Sequence, residues 1–280
     1  MNADAVLLSF LFNGSWAVLL LLVDRGARQS PFRLALALAL GMTGAVAILA
    51  AKTWFDPVHI RPWFIKPWIW RDFFEAGLIE ESVKTALFLV MAWVMRPKGP
   101  IMCFMLACFV GAGFALTENM GYILQGAYQS LAHDPESYYR TILSVAVARS
   151  VPTHSAFTGL VGFALARAWF SRKTRGHWWL VILAFLLAIT MHGGWNALGG
   201  TLFLEKYTVV MLVLALMIWN LKSLSTRLNP SFVSAWDGGW IALVPMDQLG
   251  PPVSKKLETL LAAMAAFVYS LLVVNLITLK

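Results

Sequence analysis

The chain has 280 residues, of which 59% are hydrophobic and 13% charged, with a mean hydropathy of +0.71. A soluble domain of this length could not hide so much apolar surface, so the composition excludes an ordinary soluble enzyme and implies an integral membrane protein. The net charge of +8 is read as cytoplasmic-loop charge rather than as a nucleic-acid footprint, and the two cysteines, Cys103 and Cys108, are too few for a disulfide framework.

Met1 to Asp4 hold no lysine or arginine, so the positive n-region of a secretory signal is missing, and 5–23 reads as a retained first span. Eight stretches approach the ~20 apolar residues that a membrane helix needs: 5–23, 34–51, 72–95, 100–124, 139–168, 178–198, 206–221 and 257–279. Their unbroken apolar character suits helices and not barrel strands. The expected fold is all-α: a polytopic bundle of about eight helices forming one integral membrane domain over 1–280. The fifth stretch is long for a simple span and implies tilt or a first turn outside the bilayer.

Two connecting segments stand out. Residues 52–71 interleave Trp54, Trp63, Trp68 and Trp70 with Lys52, Arg61, Lys66 and Arg71, and three prolines forbid one continuous helix. This suits the headgroup layer. Residues 222–256 carry the turns Asp237-Gly238-Gly239 and Gly250-Pro251-Pro252 and read as a cytoplasmic loop. With the N-terminus outside, 13 of the 22 basic residues fall on cytoplasmic loops and seven on the other side, leaving Lys84 and Arg149 inside the membrane. The bias favours both termini outside the cytoplasm, in the cell membrane.

The third to sixth stretches, 72–200, form a four-helix core that carries an unusual load of polar groups: Glu80, Glu81 and Lys84; Glu118 and Asn119; Arg149 and His154; His192 and Asn196. Charges in hydrocarbon are costly and persist where they pair, line a wet cavity or do chemistry. Counted from the outer ends of the expected spans, Glu80 and Glu81 lie eight or nine residues deep, Glu118 and His192 six, Arg149 ten and His154 fifteen. They therefore share one layer toward the outer side. Lys84 is i,i+3 from Glu81 and i,i+4 from Glu80 and can neutralise either. Adjacent glutamates point apart, so one faces the cavity while the other is tied to Lys84 or Arg149. Arg149 is expected to reach Glu81 or Glu118, and Thr158, i+4 from His154, to orient its ring. Glu118 suits a carboxylate that orients a histidine or a metal ligand, or one that only holds Arg149. The site carries three carboxylates against two cations, which calls for one shared proton.

In this order, on consecutive apolar segments, the motifs Glu80-Glu81-Ser82-Val83-Lys84, Phe114-Ala115-Leu116-Thr117-Glu118-Asn119, Arg149 to His154 and His192-Gly193-Gly194-Trp195-Asn196 resemble those of the PrsW family of intramembrane proteases. Lys84 points to that branch rather than to the related CAAX prenyl-protein and bacteriocin-related membrane proteases. The resemblance covers roughly 72–200. It implies hydrolysis of a peptide bond in a membrane-protein or peptide substrate. A glutamate of the Glu80-Glu81 pair is the general base with His154, while His192 and Asn196 hold the oxyanion. Lys84, Glu118, Asn119 and Arg149 support them. Members are described both as metalloproteases and as metal-free glutamic proteases. Zinc would take His154, His192 and Glu81, but no HExxH spacing is present, and the reading leans metal-free. Two other classes use the same residue types: a proton-coupled transporter and a non-catalytic membrane scaffold. No internal repeat of the transporter kind is evident.

Overall fold

The computed structural model describes residues 31–54, 61–133, 135–171, 176–199, 203–227, 232–237 and 240–245, with scattered positions before residue 18 and at 174. The expected span at 257–279, and most of that at 5–23, lie outside the described residues. What is described is helical, with one pair of short strands. Helix α1 runs Pro31–Trp54, a π-helical segment Trp70–Glu80 continues directly into α2 (Glu81–Met95), and α3 runs Pro100–His133. Then come α4 (Tyr138–Ala148), α5 (Thr153–Phe170), α6 (Trp179–Ala197) and α7 (Phe203–Arg227). Strands β1 (Phe232–Asp237) and β2 (Trp240–Pro245) pair antiparallel inside the segment expected as a cytoplasmic loop, with Asp237 opposite Trp240 at the turn.

Among the described residues, three helices are long and apolar enough to cross a membrane: Phe32–Lys52, Pro100–Ala132 and Trp179–Ala197. The count of eight is therefore not reproduced there. Two expected spans also change form. The fourth does not stop at 124 but continues to His133, giving a 34-residue helix that is ~50 Å long, well beyond a ~30 Å hydrocarbon core. The fifth is not one tilted helix. It breaks between Ala148 and Thr153, because Pro152 has no N–H to give and its ring crowds the preceding turn. Ser150 Oγ donates to the Val147 carbonyl (2.7 Å) at the end of α4, and Ala156 N donates to Pro152 O (2.9 Å) at the start of α5.

Helix α5 is buried on almost every face, which is why its sequence shows no polar stripe. It packs on α3, whose stretch Met102–Val110 is wholly buried and includes both cysteines. Close approach is secured by small residues. A Cβ at Gly113 would collide with the Leu38 carbonyl of α1, and one at Gly111 with the His154 carbonyl of α5. One at Gly193 of α6 would collide with the Phe73 ring of the π-helical segment. These contacts fix the heights at which the polar residues of different helices meet.

Backbone atoms cannot move aside as a side-chain tip can. Gly113→Val is expected to destabilise the bundle by about 3 kcal/mol through overpacking. Gly121→Ala, whose new Cβ meets nothing within 4 Å, should be neutral or slightly stabilising in the helix. Thermal unfolding of the two variants in detergent compares them directly.

Candidate active site

Lys84 is fully buried and stands at the centre of the polar cluster. Its ammonium lies 2.5 Å from Glu81 Oε1 and 2.9 Å from His154 Nδ1, and 4.6 Å above the Phe114 ring. Of the two possible partners on its own helix it takes Glu81, the i,i+3 residue. Glu81 Oε1 also meets His192 Nδ1 at 2.7 Å. One carboxylate and one ammonium thus tie α2, α5 and α6 together.

His154 is held from both sides, by Lys84 at Nδ1 and by Glu118 Oε2 at 2.9 Å from Nε2. Thr158 does not orient it: its hydroxyl is buried and has no hydrogen-bond partner among the described residues. Arg149, in the break between α4 and α5, comes within 3.8 Å of Glu118 and lies over the Tyr122 ring at 3.4 Å. The Asn119 amide donates to the Arg149 carbonyl (2.9 Å), which holds the break in place.

The neighbours assign the histidine tautomers. An ammonium can only donate, so His154 Nδ1 accepts from Lys84 and the proton sits on Nε2, toward Glu118. A carboxylate can only accept, so His192 Nδ1 donates to Glu81. The Nε2 lone pair of a neutral His192 then faces Glu80 Oε2, 3.9 Å away. That oxygen of Glu80 is buried and has no hydrogen-bond partner among the described residues. Two acceptors therefore look into the same space.

Glu80 and Glu118 border two adjoining cavities, of about 300 and 470 Å³, and Asn196 lines the larger one. Asn196 shares that cavity with Glu80 but is not part of the tight cluster. Sequence reasoning missed Lys52. It was counted as a loop cation, yet it occupies the last turn of α1 with its ammonium 3.9 Å from Glu80 Oε1. Its position at the end of an apolar span was the available signal. Phe114 and Phe157 were missed as ring neighbours of His154 and His192, at 5.4 and 5.6 Å.

The depth estimates also change. His154 is the second residue of α5 and not fifteen residues into a span, and Glu118 is mid-helix rather than near an end. Measured from the opposite ends of α2, α3, α5 and α6, residues Glu81, Glu118, His154 and His192 lie ~20–27 Å away at 1.5 Å per residue. They still share one layer, displaced toward one face of a ~30 Å core.

Glu80, His154 and His192 each offer a ligand atom within 4.8 Å of the others. This set has Glu80 where the sequence suggested Glu81, because Glu81 is already taken by Lys84 and His192 Nδ1. Glu80 Oε2 and His192 Nε2 face one point with Glu81 behind His192, which suits two ligands of a divalent cation; His154, whose ring nitrogens meet Lys84 and Glu118, would have to give up one of these partners to be the third.

A family model described as PrsW family intramembrane metalloprotease matches residues 30–221, from the start of α1 into α7. Comparison with curated proteins and with solved structures found no match to the chain.

Removing one partner from a buried ion pair leaves an uncompensated charge, at a cost of about 3–5 kcal/mol. Lys84→Met should destabilise the protein by that amount, and Glu81→Gln added to it should recover part of the loss. A double-mutant cycle by denaturant unfolding in mixed micelles measures the coupling. Strict additivity of the two substitutions would contradict the pairing.

Proposed function

The chain belongs to the PrsW family of intramembrane proteases, and from that premise we propose that it hydrolyses a peptide bond of a membrane-associated protein with a water activated at Glu80. The observation that carries this reading is the unpartnered, buried Oε2 of Glu80, at the junction of two cavities. Glu81 is less suited to that part, since its Oε1 is bonded to both Lys84 and His192 and it borders neither of the two cavities. A water between Glu80 Oε2 and His192 Nε2 would donate one hydrogen to each and turn its lone pairs toward a scissile carbonyl. Glu80 takes the proton as the water attacks and returns it to the leaving amine. His154, held by Lys84 and Glu118, keeps its ring beside this point, with ring centroids of the two histidines 5.1 Å apart. Asn196 supplies an amide donor for the oxyanion from the cavity wall. The oxyanion role that the resemblance implied for His192 would require its imidazolium form, because the neutral ring spends its proton on Glu81.

A second reading rests on the three ligand atoms within 4.8 Å. Glu80, His192 and, once released from Lys84 or Glu118, His154 would hold a zinc-type ion, and such an ion supplies Lewis-acid polarisation and a more acidic water. Glu81 would then orient His192 from behind.

The orientation proposed is an active layer facing the extracytoplasmic side of the cell membrane, with both termini on that side and eight crossings in all. Supporting it, Arg33, Arg96 and Arg167 gather at the helix ends away from the cluster. On the cluster side, Trp63 and Phe64 are 90% and 70% exposed, as suits an interfacial anchor.

With purified full-length protein and a single-pass peptide, Glu80→Gln should abolish cleavage, since an amide cannot take the water's proton. Asn196→Ala should retain a residue of activity, lower by about 10²–10³. Activity that persists in protein stripped of metal supports the water reading. One zinc per chain, lost together with activity on chelation and lost in His192→Ala, would establish the metal version instead. For orientation, Trp63→Cys should react with an impermeant thiol reagent in intact cells, Cys103 and Cys108 being fully buried. Labelling only after permeabilisation would invert the topology.

A further inference from the structure

The two cavities that meet at Glu80 differ in character. The smaller, about 300 Å³, is a mainly apolar cleft between α1 and α3 walled by Ala45, Ile48, Leu49, Phe114, Gly121 and Gln125. The larger, about 470 Å³, is walled by Arg71, Asp72, Glu75, Arg149, Asn196 and Lys206. Lys52, Glu80, Glu118 and Tyr122 border both. The apolar cleft therefore ends, and the polar chamber begins, at the carboxylate assigned to the water.

The cleft has a structural cause. Helices α1 and α3 are locked together where Gly41 meets Val110 and Gly113 meets Leu38. Two helical turns further along α3, Gly121 faces open space, with nothing within 4 Å of where a Cβ would stand. Any larger residue there would project into the cleft. Among its walls, Leu49 is 47% exposed, so the opening gives onto the apolar surroundings of α1.

Size limits the occupant. One turn of helix, ~10 Å across and 5.4 Å high, fills about 420 Å³. The cleft, of about 300 Å³ and open on one side, suits one large side chain projecting from an unwound strand. Extension of the strand is also what a peptide bond needs before a water can attack it, since a helix shields its carbonyls in hydrogen bonds.

We propose that the Gly121 cleft is a specificity subsite that takes one large apolar side chain of an unwound membrane segment, next to the scissile bond, while the polar chamber takes the hydrophilic stretch on the other side. The substrate class is then a single-pass protein cut where its span passes from apolar to polar sequence. This rests on the protease reading of Glu80.

The test uses full-length protein in detergent and single-pass peptides with Leu, Phe, Ala or Asp at the residue flanking the cleaved bond on its apolar side, with cut sites mapped by mass spectrometry. Wild type should prefer Leu and Phe over Ala and Asp by at least about tenfold in kcat/KM, the scale on which an apolar pocket discriminates. Gly121→Phe, whose Cβ meets nothing within 4 Å and whose ring would enter the cleft, should lower kcat/KM for the Leu and Phe peptides about 10- to 100-fold. The Ala peptide should change less than about threefold, so that the preference inverts. Equal losses for all peptides, or no loss for any, would overturn the subsite while leaving the protease reading intact. Absence of any cleavage that Glu80→Gln removes would overturn both.

Discussion

A single buried ammonium organises this protein's interior. Lys84 has no exposed surface, and a lone charge in such a place would cost several kcal/mol. It is tolerable because all of its capacity is used: Glu81 and His154 each take a hydrogen, and the Phe114 face lies beneath. Those partners sit on α2, α5 and α3. Through Glu81 the network extends to His192 on α6. Four helices that otherwise touch through interchangeable apolar side chains are thereby set in one relative register. Apolar packing alone would tolerate sliding, whereas a slide of one residue would strand a charge.

The two adjacent glutamates differ because of what Lys84 takes. Glu81 belongs to α2 and has its Oε1 tied to Lys84 and His192, whereas Glu80 is the last residue of the π-helical segment and borders both cavities. The π-helical stretch is itself unusual, since wide turns of this kind occur mostly as single insertions near functional sites. It packs against α6 through Gly193, into whose place Phe73 presses. Glu80 is thus carried by a segment whose register is set from outside α2. Lys52 completes the accounting. The sequence suggested three carboxylates against two cations and a shared proton to balance them. With Lys52 beside Glu80 the cluster holds three of each, and neutrality no longer requires that proton.

The helical membrane class, the family and the polar constellation were legible in the sequence because they depend on composition and on short-range spacing. Helix spacing put Lys84 within reach of both glutamates, and adjacency dictated that only one of them could face the cavity. Other features depend on where distant helices stop. After Leu124 the sequence turns polar with Gln125, Gln129 and Ser130, which ends the apolar span but not the helix, and α3 continues to His133. Pro152 marked a weakness, but whether a proline kinks a helix or ends it depends on what packs around the freed carbonyls. The metal-ligand geometry is illegible for a related reason. Glu80, His154 and His192 come from three helices, so no local spacing such as HExxH could announce them. Lys52 was misread because a cation at a helix end looks the same whether it faces headgroups or folds back onto a carboxylate.

Hydrolysis inside a membrane protein needs water and an apolar substrate at the same point, and the off-centre position of the cluster answers both demands. Set ~20–27 Å from the far ends of four helices, the carboxylates lie too near one face to be dry and too deep to be in bulk solvent. The polar chamber lined by Arg149 and Asn196 reaches Glu80 from one side, and the cleft lined by Ile48 and Phe114 reaches it from the other. Had the cluster been at mid-membrane, a water path would have required more polar wall and a higher desolvation cost. Had it been at the surface, Lys84 would have been hydrated and its hold on Glu81 and His154 would have fallen to that of an exposed ion pair, roughly 0–1 kcal/mol. The depth of Lys84 and the cavity-side position of Glu80, one turn apart, are therefore two sides of one arrangement: the first makes the frame rigid, and the second puts a carboxylate of that frame where a water can reach it.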